Sequence, residues 1–337
     1  MRVLYIGGTG TISAECVRQS LERGYEVYAL NRGRQPGRLP EGARAINADI
    51  NADPEGARAA LKGMSFDAVC QFIAFRPEQV ERDIGMFKDT AGQYIFISTA
   101  SAYSKPPASQ PIREDTPLRN PFWQYSRDKI ACEDALLRAY REDGFPVTIV
   151  RPSHTYSEWS TPVAVHGHKG SWQVLERMRQ GKRVPIQGDG ATLWTFTHSR
   201  DFAGAFVGLL RNPAAIGEAA HITSDERLTW NQAYETIARA LGVELNALHM
   251  PTWLLDARGK AYGYDFAGSL FGDKSNNAVF DSGKAKRLAP GWSAAIRFDQ
   301  GVEMALAHLA KHPELAVPDP EFDKYCDELE VVADGLA

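Results

Sequence analysis

Six apolar runs alternate with helix-like segments over the first 150 residues of a chain of 337. The runs are continuous and rich in Val and Ile, as strands buried on both faces of a sheet are. They are "VLYIG", "EVYAL", "ARAINAD", "FDAVCQFI", "QYIFIST" and "PVTIVRP", and the helical segments between them include 11–23, 77–89 and 122–143. This alternation predicts an α/β fold, a doubly wound parallel sheet with a ligand crevice at the carboxyl ends of its strands.

The pattern becomes less regular after Arg151, where a loop rich in Pro, Gly, Ser and His follows. Further elements are indicated as helices over 171–181, 201–212, 229–242 and 299–312, a strand over 218–224, and a surface helix or tail over 323–337. We predict two parts. Residues 1–151 with about 191–222 form the sheet domain, and about 152–190 with 223–330 form a smaller, mixed substrate-binding lobe.

Charge and composition exclude several classes of protein. The net charge of −4 argues against a nucleic-acid partner. The longest apolar runs are too short for a membrane span, and the apolar start of "MRVLYIGGTG" is too short for a secretion signal. The four cysteines are far apart and lack zinc-type spacing, which favours a cytoplasmic protein with reduced thiols and no metal.

Three glycines, Gly7, Gly8 and Gly10, follow the first predicted strand and open the first predicted helix. Glycine allows positive φ and a close approach of pyrophosphate, and a helix N-terminus offers free N–H groups. An ordinary tight turn is the alternative. The strand–turn–helix context favours a dinucleotide, with Gly7, Gly10, Thr11 and Ile12 as binding residues.

The second predicted strand ends in "ALNRGR", where dinucleotide folds recognise the ribose. Asn31 and Arg32 replace the acidic residue that would bind a free 2′-hydroxyl. An arginine suits a 2′-phosphate, so the sequence favours NADP over NAD, with Arg34 as a helper. The alternative is that Arg32 is an ordinary solvated loop residue.

Tyr125 and Lys129 in "YSRDK" lie four residues apart, on one face of a helix. Thr99 in "FISTASAY" ends a predicted strand beside the crevice. A phenol with a pKa of about 10 is a poor base, but a nearby ammonium and an oxidised nicotinamide would favour the phenolate. Tyr125 is thus the candidate acid/base, with Thr99 holding the same substrate oxygen and Lys129 the nicotinamide ribose. An ordinary Tyr/Lys pair on a partly exposed helix is the alternative.

Together, "GGTGTIS", "NADI", "FISTASAY", "YSRDK" and "RPSHTY" resemble segments of the extended short-chain dehydrogenase/reductases, the NAD-dependent epimerase/dehydratase group. The resemblance spans residues 3 to about 310, with Ser13 at the usual third glycine. It implies a Rossmann-type domain, a small C-terminal substrate lobe and a homodimer formed through helices 77–89 and 122–143. The implied roles are Thr99, Tyr125 and Lys129 in catalysis, Asp49 and Ile50 near the adenine, and Pro152 and Ser153 near the nicotinamide.

Three positions depart from the family pattern. Ala100 and Ser101 replace the Asp–Glu pair of the dehydratases, which disfavours sugar 4,6-dehydration. Trp194 stands where an arginine usually clamps the substrate diphosphate, and His154 replaces an asparagine. Ser101, His154 and Trp194 are therefore substrate candidates, although Trp194 as core filling is an equal alternative.

The stretch "HGHKGSW" places His166, His168 and Lys169 in the loop entering the substrate lobe. The two histidines are candidates for a second acid/base or for binding an anionic substrate. Polar loop residues without a role are the alternative, and no nearby Asp, Glu or Cys completes a metal site.

These observations favour an NAD(P)-dependent, epimerase-like enzyme that acts on a sugar or nucleotide-sugar through a transient keto intermediate, with Tyr125 as acid/base. An NADP-dependent reductase of a keto-sugar or another carbonyl is the alternative. A third possibility is a non-catalytic nucleotide-binding protein of the same fold, because fold alone does not give chemistry.

Overall fold

The computed structural model describes residues 1–335. Its strands, numbered in chain order, are β1 Arg2–Ile6, β2 Glu26–Asn31, β3 Arg44–Asn47, β4 Ala68–Gln71, β5 Tyr94–Ile97, β6 Val147–Pro152, β7 His154–Tyr156, β8 Val184–Gln187, β9 Leu193–Trp194, β10 Phe196–His198, β11 Ala219–Ile222, β12 Leu228–Thr229 and β13 Ala247–Met250. Seven of these described strands form one sheet, in the order β11-β6-β5-β4-β1-β2-β3. All of its pairs are parallel.

The seven strands coincide with the six apolar runs and the strand predicted over 218–224. The prediction of burial is wrong for β3, a largely exposed strand at the edge of the sheet. Every residue of β4, β5 and β6 is buried, which explains why these runs show no polar alternation. The strand order reverses between β1 and β4, and such a switch point opens a crevice at the carboxyl ends of the strands. The predicted Rossmann-type α/β class is therefore confirmed.

The helices are α1 Ser13–Glu22, α2 Pro54–Ala60, α3 Pro77–Phe87, α4 Gln124–Asp143, α5 Trp172–Arg179, α6 Ser199–Leu209, α7 Trp230–Leu241, α8 Thr252–Gly259, α9 Gly283–Leu288, α10 Phe298–Lys311 and α11 Pro320–Asp334, with a π-helix at Ala267–Lys274. Predicted and observed helix ends differ by a few residues. The amide oxygen of Asn120 accepts hydrogen bonds from the backbone N–H groups of Phe122 and Trp123 at 3.1 and 3.2 Å. This turn delays the start of α4 to Gln124.

None of the helices within residues 1–335 is long and apolar enough to cross a membrane.

Helices cover both faces of the sheet. One apolar cluster joins the sheet to α1, α6 and α9, and a second joins it to α2, α3 and α4. A third cluster draws most of its residues from Tyr156 onwards, together with Ala100, Tyr103 and Ile112, and supports the two-lobe division, which remains a proposal. Trp194 and Phe196 pack in this third cluster, although the predicted boundary groups them with the sheet domain.

The C-terminal segment, predicted as a surface helix or tail, forms α11. One face of α11 is buried through Phe322, Tyr325, Cys326 and Leu329. Arg177 of α5, whose side chain is inaccessible to solvent, contacts three carboxylates of α11. The helix is thus part of the C-terminal core; residues 336–337 lie outside the described residues.

A buried ion pair ties α4 to the sheet. The guanidinium of Arg151 in β6 contacts Glu133 of α4, with Nη2–Oε2 at 2.6 Å. Both side chains are buried, and Arg151 also donates to the Tyr103 hydroxyl at 3.1 Å. Since α4 carries Tyr125 and Lys129, this pair helps to position both side chains.

Replacing Glu133 with Ala leaves the buried guanidinium without its carboxylate. We expect the free energy of unfolding to fall by about 3–5 kcal/mol. Urea unfolding of Glu133→Ala measures this loss. Glu142→Ala, an exposed Glu on the same helix, is the matched control and should change stability little. Equal losses in the two variants would contradict the role assigned to the pair.

Candidate active site

The glycine turn between β1 and α1 is built for a close ligand. Gly7 has a φ of +87°, and a Cβ there would lie 2.5 Å from Cγ2 of Ile73, so only glycine fits. The backbone N–H of Gly8 donates to Oδ1 of Asn31 at 2.9 Å. Asn31 therefore holds the turn itself, a role that the sequence did not indicate.

The N-terminus of α1 has no side-chain cap. The N–H of Ala14 donates to the carbonyl oxygen of Gly10 at 3.1 Å, whereas the N–H groups of Thr11, Ile12 and Ser13 have no acceptor within residues 1–335 and remain available at the switch point. Gly10, Thr11 and Ile12 form this turn, and the Gly10 N–H donates to Oγ of Ser13 at 2.8 Å. Uncapped N–H groups at a helix start, beside a glycine that admits no Cβ, form a suitable donor set for a dinucleotide pyrophosphate.

The side chains predicted near the adenosine lie at the ends of β2 and β3. Oδ1 of Asp49 accepts from the backbone N–H groups of Asn51 and Ala52, both at 3.1 Å, and Ile50 is buried. Arg32 and Arg34 are exposed, and neither side chain has a hydrogen-bond or ion-pair partner within residues 1–335. Both arginines are thus free to meet an anion.

Tyr125 lies at the start of α4, flanked by aromatic rings. Its ring centroid is 4.9 Å from that of Trp123 and 6.3 Å from that of Phe75. Burial raises the pKa of Tyr125 to about 12, and the nearby Thr99 hydroxyl acts in the opposite direction. Tyr125 is therefore a neutral phenol at physiological pH.

Thr99 begins a chain of hydroxyl groups that the sequence did not reveal. Its Oγ1 lies 2.9 Å from Oγ of Ser101, which lies 2.7 Å from Oγ of Ser126. Ser126 follows Tyr125 in α4, so the chain links the end of β5 to the helix. Ser101, expected as a substrate residue, both belongs to this chain and lines the cavity beside it.

Lys129 lies on the same side as Tyr125, with its Nζ 6.0 Å from the centre of the phenol ring. The ammonium donates to the carbonyl oxygens of Ala74 and Ile97, both at 2.7 Å. Burial lowers the pKa of Lys129 to about 7. In the protein alone, burial is the largest influence on Tyr125 and its pKa rises. The expected acidification of Tyr125 by Lys129 together with an oxidised nicotinamide stays a prediction.

A cavity of about 210 Å³ opens beside these groups. The predicted residues Thr99, Ser101, Pro152, Ser153, His154 and Trp194 all line it. Asp273 and Lys274, at the end of the π-helix, complete the wall and were missed by sequence reasoning. The short "GDK" that contains them matches no motif, and a π-helix does not follow the 3.6-residue pattern.

Trp194 and His154 form a pair at the back of the cavity. Nε1 of Trp194 donates to Nδ1 of His154 at 3.2 Å, which places the histidine proton on Nε2. Burial, and then the charge of Lys274, lower the pKa of His154 to about 3. Trp194 is 2% exposed and packs on Trp230. It fills the core, as the alternative stated, and also orients His154.

His166 and His168, the two histidines of the loop that enters the substrate lobe, lie in different surroundings. His166 is solvent-accessible yet closely surrounded by protein, and this enclosure and Lys274 lower its pKa. His168 is exposed and lies 3.1 Å from the carbonyl oxygen of Tyr262, outside the residues that line the cavity. Only His166 is thus near the site. Within residues 1–335 no three His, Cys, Asp or Glu side chains converge as metal ligands.

Comparison with known proteins agrees with the family resemblance of the sequence motifs. The model of the NAD dependent epimerase/dehydratase family matches residues 3–223. A 2′-dehydrokanamycin reductase from Streptomyces kanamyceticus is 26% identical over 306 residues, covering 91% of this chain and 84% of that protein.

Two solved structures illustrate the similarity of fold. A UDP-glucose 4-epimerase from Thermotoga maritima, with UDP-glucose, has a TM-score of 0.73 and 21% identity, covering 93% of this chain and 100% of that one. A UDP-glucuronic acid 4-epimerase from Bacillus cereus, with UDP-glucuronic acid and NAD, has a TM-score of 0.72 and 18% identity, with the same coverage. Both share the architecture of this chain.

The lowered pKa of Lys129 predicts a pH dependence of stability. Between pH 7 and 10.5 the folded chain binds fewer protons at this residue than the unfolded chain does. The free energy of unfolding should therefore rise with pH in this window, relative to a chain without the amine. Urea unfolding of wild type and Lys129→Met, at pH 6.5 and at about pH 9.5, compares the two slopes.

The control is Lys88→Met, an exposed Lys at the end of α3, which should keep the slope of the wild type. Parallel slopes in wild type and Lys129→Met would show that the folded state does not perturb the lysine.

Proposed function

We propose, from the premise that the chain belongs to the NAD-dependent epimerase/dehydratase family, that it is an NAD(P)-dependent enzyme that reduces the keto group of a small, sugar-like substrate. One observation carries the choice of reduction: the position of the family's diphosphate-binding arginine holds Trp194, which is buried and offers no charge for a nucleotide-sugar diphosphate. Tyr125, whose pKa is raised by burial, has the protonated form that reduction of a carbonyl requires.

In this proposal Tyr125 donates its phenolic proton to the substrate carbonyl oxygen. Thr99 donates a hydrogen bond to the same oxygen through Oγ1, and the Ser101–Ser126 hydroxyl chain orients Thr99. Lys129, 6.0 Å from the phenol ring, stabilises the negative charge that remains on Tyr125. The nicotinamide, when bound, supplies the hydride.

The geometry of the glycine turn supports the proposed pyrophosphate site, and the family resemblance supplies the residues near the adenine and the nicotinamide. Gly7, Gly10, Thr11 and Ile12 hold the pyrophosphate against the start of α1. Asp49 and Ile50 border the adenine, and Pro152 and Ser153 border the nicotinamide. Arg32, aided by Arg34, binds a 2′-phosphate, so NADP is the proposed cofactor. Support comes from the exposed, unpaired state of both arginines within residues 1–335.

The size and walls of the cavity support a small substrate. Its volume of about 210 Å³ is below the roughly 300–1,000 Å³ of pockets that enclose drug-sized ligands. Trp194, at the position of the family's diphosphate-binding arginine, is packed in the core and offers no charge. The relative that aligns with 91% of the chain is named as a reductase of a dehydro compound.

Epimerisation of a sugar or nucleotide-sugar is the second candidate. It is favoured by a second hydrogen-bond donor in the cavity wall, His154. Here a hydroxyl is oxidised and the keto group is then reduced on its other face, with no net use of cofactor.

We also propose a cytoplasmic homodimer formed through α3 and α4. All four cysteines are free and buried, which suits a reducing compartment.

The reductase proposal predicts that NADPH is consumed in step with a keto-sugar. Tyr125→Phe removes the acid, and we expect turnover to fall by about 10²–10⁴-fold with unchanged NADPH affinity. Loss of NADPH absorbance measures turnover, and fluorescence titration measures affinity. Tyr140→Phe, on the same helix, is the control. Product formed without net NADPH loss would select the epimerase, and an active Tyr125→Phe would reject both.

The choice of cofactor is tested at Arg32. Arg32→Ala should weaken NADPH binding by about 1.5–3 kcal/mol, the contribution of a charge-assisted hydrogen bond, and leave NADH binding unchanged. Fluorescence titration with both cofactors gives the two affinities. Arg23→Ala, an exposed Arg at the end of α1, should alter neither. A wild type that binds NADH more tightly than NADPH would contradict the NADP proposal.

A further inference from the structure

Lys274 places an unpaired cation in the wall of the cavity. It is the last residue of the π-helix, a conformation common at functional sites. Its backbone oxygen accepts hydrogen bonds from Nε1 of Trp230 at 3.0 Å and from Nε2 of Gln187 at 3.2 Å. The backbone position is therefore fixed. The ammonium makes no hydrogen bond or ion pair within residues 1–335.

The nearest carboxylate is already engaged. Asp273 precedes Lys274, and its Oδ1 lies 3.1 Å from Nζ of Lys105, whose side chain is 1% exposed. The other neighbours are two imidazoles, His154 and His166, and the charge of Lys274 lowers the pKa of both. Lys274 thus faces two neutral imidazoles, and its acidic neighbour Asp273, which acts on its pKa, is already paired with Lys105.

A partly buried cation such as Lys274 is stabilised when an anion joins it. Its side chain keeps some exposure to solvent, burial lowers its pKa, and the charge of Asp273 acts in the opposite direction. A partly desolvated charge gains from an opposite charge that offers good hydrogen bonds. The cavity beside Lys274 also offers the Nε2 proton of His154, which has no acceptor within residues 1–335. An ammonium and a neutral N–H donor together suit an oxyanion.

We propose that Lys274 and His154 bind an acidic group, a carboxylate or a phosphate, on the substrate itself. The proposal rests on the proposed function only in taking this cavity as the substrate site. The substrate is then an acidic, monosaccharide-sized molecule held beside Tyr125 and Thr99. A cationic amino sugar is disfavoured because its ammonium would meet Lys274.

Binding of four probes to the NADP-loaded protein tests the proposal without turnover. The probes are D-glucuronate, D-glucose 6-phosphate, D-glucose and D-glucosamine, and calorimetry measures each affinity. We expect one acidic probe to bind at least about tenfold more tightly than glucose, as one charge-assisted hydrogen bond provides. The tighter acidic probe identifies the group as carboxylate or phosphate.

Matched variants assign the effect to Lys274. Lys274→Met should abolish the preference for the acidic probe, and Lys274→Arg should retain it. Lys274→Glu should shift the preference to glucosamine. Lys324→Met makes the same charge change on the exposed face of α11 and should behave as wild type.

Two results would overturn the inference: acidic and neutral probes that bind equally or not at all, or an acid preference that persists in Lys274→Met. The proposed function is tested separately from this inference. If the acid preference depends on Lys274 but no keto-acid consumes NADPH, the subsite stands and the reductase proposal falls. If wild type and Lys274→Met both reduce acidic and neutral keto-sugars equally well, the reductase stands and the subsite falls.

Discussion

The ammonium of Lys129 joins the ends of two neighbouring strands. It donates to the carbonyl oxygen of Ile97, the last residue of β5, and to that of Ala74, just beyond β4, both at 2.7 Å. The carboxyl edge of a parallel sheet leaves such carbonyls without strand partners, and a buried carbonyl needs a donor. Lys129 supplies it from α4 and so fixes the helix over the crevice. Tyr125, one turn earlier, is positioned by the same contact.

This structural use of a charge sets the chemistry of the site. Two carbonyls and the faces of Phe75 and Phe96, at 4.8 and 4.6 Å from Nζ, favour the ammonium form, while burial opposes it. Lys129 therefore lies on the same face of α4 as Tyr125, and the phenol of Tyr125 nevertheless stays protonated. With the charges of the protein alone, the phenol of Tyr125 stays protonated and acts as a proton donor. The base that an oxidation requires has to arise from the charge of a bound ligand.

The apolar pattern of the sequence predicted the sheet because β4, β5 and β6 are buried on both faces. Such strands consist largely of consecutive apolar residues. The pattern predicted less of the C-terminal half, where β9 and β12 have two residues each and pair across 34 positions of sequence. Local patterns do not specify such pairings. They also do not show that the side chain of Asn31 turns back to Gly8, or that His166 and His168 diverge because the latter contacts Tyr262.

Two packed indoles connect the residues of the back wall. The ring centroids of Trp194 and Trp230 lie 5.3 Å apart, the N–H of the first fixes the imidazole of His154, and the N–H of the second fixes the backbone of Lys274. Both indoles are buried, so neither reorients independently of the other. A family arginine at position 194 would supply charge directly. Here the same position supplies rigidity, and in the proposed subsite the charge comes from Lys274 instead. Substrate selection by this subsite depends on two donors whose separation is set by an aromatic core.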